Sequence, residues 1–389
     1  MTFVLSYQNI FNYLVEHRLC TQLEEALYEV EPIKAKNFNL LLTFPDSRKL
    51  LIKQERHNKE GKTLGEFLSE WRIQEFLQTF PELSYLRASM PEVLHFEAEH
   101  SIIVFSYLDD YRDLEDFYGK EKIFPTQIVE AIATILATIH RATFNRQEYQ
   151  EFFSAKPTNN LSLAHVPNWI RSIERIGPEI FGIVPVDGLK FFKLYQRYES
   201  LGQAMKELAD VFQPCCLTHN DLKLNNILLH NNWQQESPNI VRLIDWETST
   251  WGDPAFDLGT LIASYLQIWL SSLVISKSLT IEESLRLAMT PLEQLQPSIA
   301  ALTKAYFDNF PEILEHRPNC LMQVVQFAGF ALIQQIQPMI QYQKYFGNKG
   351  ICMLQVAKSL LCRPEQSLAT VFGTAATELT QLRPSVAKD

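Results

Sequence analysis

His219-Asn220-Asp221-Leu222-Lys223-Leu224-Asn225-Asn226-Ile227-Leu228-Leu229 opens the stretch that decides the fold. Asp245-Trp246-Glu247 and Gly252-Asp253-Pro254-Ala255-Phe256-Asp257-Leu258-Gly259 close it. Between them lie two short apolar runs, Ile227–Leu229 and Ile240–Ile244, with a polar Asn231-Asn232-Trp233 turn in the interval. Apolar runs of this length bounded by turn residues read as paired strands. A hairpin would bring Asp221, Asn226 and Asp245 to one end of a sheet. One carboxylate there can orient a hydroxyl, while an amide and a second carboxylate offer the hard oxygen ligands that suit Mg²⁺.

The spacing Asp-x-Lys-x-x-Asn, then a strand and an Asp, is that of a kinase catalytic loop and metal-binding acid. Three motifs in order, His219-x-Asp221-x4-Asn226, Ile244-Asp245-Trp246-Glu247 and Gly252-Asp253-Pro254-x-x-Asp257-Leu258, resemble the aminoglycoside phosphotransferase and choline kinase group of the protein-kinase-like superfamily. The usual Gly between His and Asp is Asn220 here, and the usual Asp-Phe is Asp245-Trp246. Neither change removes a group that does chemistry.

The resemblance implies an α+β, bilobal protein-kinase-like fold. A small antiparallel β-sheet N-lobe would span residues 1–104, a hinge 105–112, and a larger, mostly helical C-lobe 113–389. That C-lobe would carry the catalytic loop 219–226 and the metal-binding segment 244–259. ATP and Mg²⁺ are the implied cofactors. Asp221 would orient the acceptor hydroxyl and Lys223 would neutralise charge on the transferred phosphoryl group; Asn226 and Asp245 would bind the metal. His219 would brace the loop, and Asp257 would accept its backbone N–H groups. Glu247 is either a support of the metal site or an exposed strand-end acid.

Upstream, Tyr7 to Leu19 has helical spacing, and Thr21-Gln22-Leu23-Glu24 is a capping box that opens a short helix through Glu29. Phe38–Phe44 and Leu50-Leu51-Ile52-Lys53 then read as a hairpin around Pro45-Asp46-Ser47. Lys53, on a strand and followed by an acid-bearing helix, is the candidate to reach the ATP phosphates. That helix, about Thr63 to Thr79, would turn Leu64, Phe67, Leu68, Trp71 and Leu77 to one face. Glu70 resembles the acid that pairs with the lysine in related kinases, with Glu66 and Glu75 as alternatives. Residues 31–39, where a phosphate-covering loop belongs, contain no glycine. Lys34, Lys36 or a turn at Asn37 could substitute for backbone donors. Ser101–Leu108 resembles the strand and hinge whose backbone grips adenine, with Phe105, Ser106 and Tyr107 as the contacts.

Helices dominate the remainder, Thr126–His140 among them, with His140 structural; residues 374–389 read as a polar, frayed end. The 389 residues suffice for two lobes, and 46% apolar content is ordinary for a globular chain. A net charge of −10 argues against nucleic acid or an anionic membrane as partner, and suits a cationic acceptor. Six cysteines without metal-ligand spacing read as free thiols in a reducing cytosol. The N-terminus lacks a signal-peptide pattern, and Leu258–Ile275 and Cys320–Ile340 read as core helices, so a cytoplasmic location without membrane contact is expected. The acceptor is either a hydroxyl-bearing small molecule or a peptide Ser/Thr. In the peptide case the chain would be the kinase component of a lanthipeptide synthetase, with a partner lyase. A kinase-like protein that binds nucleotide or a partner without turnover is the alternative class, favoured by the glycine-free segment.

Overall fold

The structure is a computed structural model and describes residues 3–24, 28–58, 60–155, 166–174, 184–235, 240–276 and 278–381. The chain divides into two compact units, one of residues 1–117, 152–162 and 225–249, the other of residues 118–151, 163–224 and 250–389. The divisions at 104 and 112 read from sequence are continuous in the chain; these units are not, because the 225–249 hairpin pairs with the segment that follows the fifth strand.

In the first unit, strands β1 (Glu29–Ile33), β2 (Phe38–Thr43), β3 (Lys49–Gln54), β4 (Val93–Glu97) and β5 (Ile102–Ser106) form an antiparallel sheet in the order β1-β2-β3-β5-β4. Side chains alternate across a strand, and β3 shows it: Leu50, Ile52 and Gln54 are buried on one face. That face packs with Leu40, Leu42, Ile102 and Val104 against Ile10, Phe11 and Leu14 of helix α1 (Ile10–Glu16). Lys53 is therefore on the opposite face, where Phe67 of helix α2 (Glu66–Thr79) packs on Ile103 and Phe105.

Two expectations in this unit need correction. Only half of the Thr21–Glu24 box is made: the Thr21 N–H and hydroxyl donate to the Glu24 carboxylate at 2.6 and 2.8 Å, while the Glu24 N–H goes to the Thr21 carbonyl at 3.1 Å. It encloses only a single 3₁₀ turn at Gln22–Glu24, and Glu29 already belongs to β1; residues 25–27 lie outside the described residues. The helix face read for residues 63–79 holds only in part: Phe67 and Leu77 are buried, Leu64 and Leu68 are not. Gly65, at φ +79°, ends the loop, so Leu64 precedes the helix, and Leu64 and Leu68 are 55% and 45% exposed. The buried face instead carries Glu66 and Glu70 beside Phe67, Ile73 and Leu77.

Strands β6 (Tyr111–Asp113), β8 (Ile227–His230) and β9 (Val241–Leu243) form a second, three-stranded antiparallel sheet. Tyr111 opposes His230, and Ile227 opposes Leu243. The Asn231 N–H adds a bond to the Asp110 carbonyl at 2.8 Å. This pairing fixes the expected hairpin beside the residues that follow β5.

The second unit is mainly helical, with one two-stranded ribbon, β7 (Cys216–Thr218) against β10 (Thr250–Gly252). A Cβ on Gly252 would sit 2.1 Å from Thr218 Oγ1, so only glycine allows that close pairing. Helix Pro254–Ser271 packs on helix Cys320–Tyr342 through Gly259, whose added Cβ would lie 2.8 Å from the Val324 carbonyl oxygen. Both helices are apolar around most of their circumference, as buried helices are. Among the described residues no helix is long and apolar enough to cross a membrane. Helix Thr126–Thr143 packs on helix Leu292–Asn309. Ala376–Thr380 is helical, which corrects the frayed end in part; residues 382–389 lie outside the described residues, as do 156–165 and 175–183 of the loop-rich middle segment. All six cysteines are free.

Candidate active site

A cavity of about 450 Å³ lies wholly within the first unit. Lys53, Glu70, Phe105, Ser106, Tyr107 and Asp245 all line it, with Ile33, Leu51, Leu228 and Ile244 supplying apolar walls. Lys53 reaches it because β3 alternates, and the residues around 105–107 because β5 ends there. Asp245 arrives from the end of β9 in a left-handed conformation (φ 61°, ψ 61°) that an Asp tolerates better than a branched residue. The following Trp246 is 2% exposed and its indole N–H donates to the Leu243 carbonyl at 2.9 Å, so tryptophan fits this site with its polar atom satisfied.

Asn226 and Asp245 stand at the same end of the hairpin: the Ile244 N–H donates to the Asn226 carbonyl at 3.0 Å. Asn226 is buried at 1% exposure; its neighbour Asn225 is the one that lines the cavity. An amide oxygen and a carboxylate just outside the ends of two paired strands are a donor set that fits Mg²⁺, which takes oxygen ligands and keeps several waters.

The electrostatics of this end are dense. The Lys53 ammonium contacts Asp245 Oδ1 at 2.8 Å and lies 5.1 Å from the centre of the Phe105 ring. Burial alone would lower the Lys53 pKa, but the charges of Asp245 and Glu70 outweigh it and raise the value. Glu70 is thus not the hydrogen-bonded partner of Lys53 here. Its carboxylate is 3% exposed, and burial pushes its pKa up to about 7 against the pull of Lys53 and of the Trp246 backbone N–H. Glu247 is raised to about 8, first by burial and then by repulsion from Glu66, Glu70 and Asp245. An exposed strand-end acid it is not. Glu66 is held by Lys36 and, at 3.1 Å, by the Asn37 side-chain amide. Glu75 lines no part of the cavity.

The backbone past β5 is partly committed. Ser106 N–H donates to the Glu92 carbonyl and Tyr107 N–H to the Lys49 carbonyl, both at 3.0 Å. A backbone donor for a base edge therefore has to come from beyond Tyr107.

In the second unit the loop 219–223 is held from beneath. Asp257 accepts the N–H of His219 at 2.7 Å and of Asn220 at 2.8 Å. Its Oδ2 also meets His140 Nε2 at 3.2 Å, while His140 Nδ1 faces the Tyr306 hydroxyl at 2.8 Å; one neutral tautomer satisfies both. Asn220 has φ +63°, and its side-chain oxygen accepts from the Thr218 hydroxyl at 2.9 Å. A left-handed residue is needed here, which explains why Asn can stand where Gly is usual. The buried His219 ring accepts the Asp221 N–H at 3.4 Å, a bracing contact. Asp221 and Lys223 pair at 2.7 Å and are each about a third exposed, so both remain accessible.

Two supporting groups were not legible in the sequence. Glu55 accepts the N–H groups of Gly65 (2.9 Å) and Phe67 (2.7 Å) and the Ser101 hydroxyl (2.8 Å), capping α2 from ten residues away. Arg317 clamps Asp253 at 2.6 and 3.0 Å while Asp253 caps the helix Pro254–Ser271 through the Ala255 N–H. Neither pairing leaves a local sequence signal.

Curated relatives match only a short segment: acyl-CoA dehydrogenase family member 11 of Mus musculus is 39% identical over 61 residues, 16% of this chain and 7% of that protein. The rat protein of the same name is 38% identical over the same length. This chain thus spans a small fraction of the curated relatives it matches. Among solved structures, an ethanolamine kinase from Plasmodium vivax shares the fold at a TM-score of 0.56 and 14% identity, covering 92% of this chain and 90% of that one. A Ralstonia eutropha protein provisionally assigned as an aminoglycoside phosphotransferase has a TM-score of 0.50 at 16% identity, covering 92% and 96%. The architecture is therefore the α+β kinase-like fold. Residues 68–279, more than half of the 389, match the sequence profile of the phosphotransferase enzyme family (APH), and the chain belongs to that family.

Proposed function

We propose that this phosphotransferase uses MgATP to phosphorylate a hydroxyl group of a small molecule. The observation that carries the reading is the meeting of Lys53, Asp245 and Glu70 on one cavity whose remaining walls are largely apolar. Such a cavity suits a purine at the apolar end and phosphates at the charged end. Asn226 and Asp245 would hold Mg²⁺, and Lys53 would neutralise phosphate charge. When bound, MgATP supplies the γ-phosphoryl group, whose phosphorus bonds to the acceptor oxygen as its bond to the β-phosphate oxygen breaks.

In this reading Asp221 accepts the hydroxyl proton's hydrogen bond and aims the oxygen, and takes the proton as the new bond forms. Lys223, paired with Asp221, offsets charge on the group in transfer. His219, Asn220 and Asp257 keep the loop in place and touch no substrate.

A small alcohol is supported by the family and by the names of the similar folds, an ethanolamine kinase and an aminoglycoside-type enzyme. No observation favours a peptide acceptor, so a partner lyase forms no part of this reading. A binding protein without turnover is less well supported, because lysine, both metal-site candidates and Asp221 are all present. The test is a screen of small alcohols, amino alcohols, sugars and aminoglycosides with MgATP, read by ADP release and by a phosphate-sized mass gain on the acceptor. A panel in which ADP release never rises above that of the chain alone, with tight MgATP binding, would turn the reading toward a binding protein.

A further inference from the structure

The turn between β1 and β2, residues 34–37, contains no glycine, yet it belongs to the hairpin whose Ile33 lines the cavity. Glycine-rich turns hold phosphates with backbone N–H groups, and this turn is not built for that approach. It carries a lysine instead. Lys36 pairs with Glu66, and Asn37 donates to the other oxygen of the same carboxylate at 3.1 Å. The Lys36 side chain is 60% exposed, whereas that of Lys53 is 14% exposed and pinned to Asp245.

These groups form one electrostatic cluster. Glu247 is repelled by Glu66, Glu70 and Asp245 and attracted by Lys36, and Lys53 feels Asp245, Glu70 and Glu247. Four carboxylates thus face two lysines. A polyphosphate entering beside Lys53 adds further negative charge, and the exposed Lys36 can swing toward it. Lys34 is exposed and makes no ion pair among the described residues.

We propose that Lys36 is the residue of the β1–β2 turn that covers the nucleotide phosphates, in place of glycine-loop backbone donors, and that Glu66 holds it when no phosphate is bound. An ion pair of an exposed lysine is weak, while a charge-assisted bond to a phosphate oxygen is stronger, so the exchange runs toward the phosphate. The inference rests on the nucleotide reading above.

The two partners give opposite signs, which makes the test specific. Calorimetry on the full chain compares MgADP and a non-hydrolysable MgATP analogue with adenosine. Lys36→Ala should weaken the two phosphate ligands about tenfold, the size of one charge-assisted hydrogen bond, and leave adenosine unchanged. Lys36→Arg should restore most of the loss. Glu66→Gln, which removes the charge that holds Lys36, should tighten the phosphate ligands about two- to fivefold, the worth of a partly exposed ion pair, and the double variant should behave as Lys36→Ala. Unchanged phosphate affinity in Lys36→Ala, equal losses for adenosine, or weaker phosphate binding in Glu66→Gln overturns the proposal while leaving the nucleotide reading intact. A wild-type chain that binds MgADP no better than adenosine removes the nucleotide reading and this proposal together.

Discussion

The ammonium of Lys53 rests on the carboxylate of Asp245 at 2.8 Å, across 192 residues of chain. The lysine expected at the phosphates and the acid expected at the metal neutralise each other, and the buried Glu70 adds its charge to Lys53 without taking its hydrogen bond. Each is thus poised to exchange this contact for a ligand of opposite charge. Asp245→Asn should abolish Mg²⁺-dependent turnover and leave the fold intact. Its effect on stability should fall below the ~3–5 kcal/mol of a fully buried pair, because the Asp245 side chain is 35% exposed. Metal-dependent nucleotide binding and a thermal melt check both halves; wild-type turnover in this variant would sink the metal role.

Lys53→Ala separates a phosphate contact from a structural one. MgADP affinity should drop by about 10- to 100-fold, as for a lost charged hydrogen bond, with adenosine nearly unaffected. Equal losses for both ligands in calorimetry would mark Lys53 as a support of the sheet.

Glu70 gives a pH dependence whose sign is fixed. Its pKa is raised from 4.5 to about 7 in the folded chain by burial. Below pH 4.5 the group is protonated both folded and unfolded, and its relative contribution to stability is fully present. Between pH 4.5 and 7 the unfolded chain releases the proton first, so that contribution is lost as pH rises through the folded value. Wild type should therefore lose stability relative to Glu70→Gln from pH 5 to pH 8, read as urea midpoints. A difference that is flat with pH, or that runs the other way, contradicts the raised value.

How much of this was legible depended on the range of the signal. The hairpin around Asn226 and Asp245 was readable because two apolar runs with polar ends leave few other ways to pair. The placement of Lys53 followed from the two-residue period of β3, since Ile52 had to face the core. Glu70, expected to pair with Lys53, lines the cavity beside it, but the hydrogen bond of Lys53 goes to Asp245. Glu66 and Glu70, four residues apart, both lie on one side of α2, and their surroundings depend on Lys36 and Asp245, which approach from segments distant in the chain. The helix face built on Leu64 failed for the same reason: Glu55 caps α2 at Gly65, and no local pattern announces a cap made ten residues upstream.

Asn220 tests the loop rather than the chemistry. At φ +63° it stands where glycine is usual, and Asp257 binds its N–H. Asn220→Gly should change stability by only a few tenths of a kcal/mol, whereas Asn220→Val should destabilise by about 1–3 kcal/mol through backbone strain. Asp257→Ala leaves the N–H groups of His219 and Asn220 without their acceptor and should cost about 2–6 kcal/mol, at ~1–3 for each unsatisfied group. Chemical denaturation ranks the three variants, and a tolerated Asn220→Val would show that the loop can adopt another conformation.

Asp221 and Lys223 carry the acceptor-side prediction. They pair at 2.7 Å, and each remains about a third exposed, so the pair is accessible to a substrate rather than locked in the core. If Asp221 aims the hydroxyl, Asp221→Asn should slow transfer by roughly 10²–10⁴, the range for a positioned acid–base group, with MgATP affinity little changed. Lys223→Ala should slow transfer as well. Two residues that act on one transition state lose less together than the product of their separate losses, so the double variant should be only slightly slower than Asp221→Asn. A fully multiplicative double variant would assign Lys223 a separate role. Transfer at the wild-type rate in Asp221→Asn, followed by mass gain on the acceptor, would remove Asp221 from the reaction altogether.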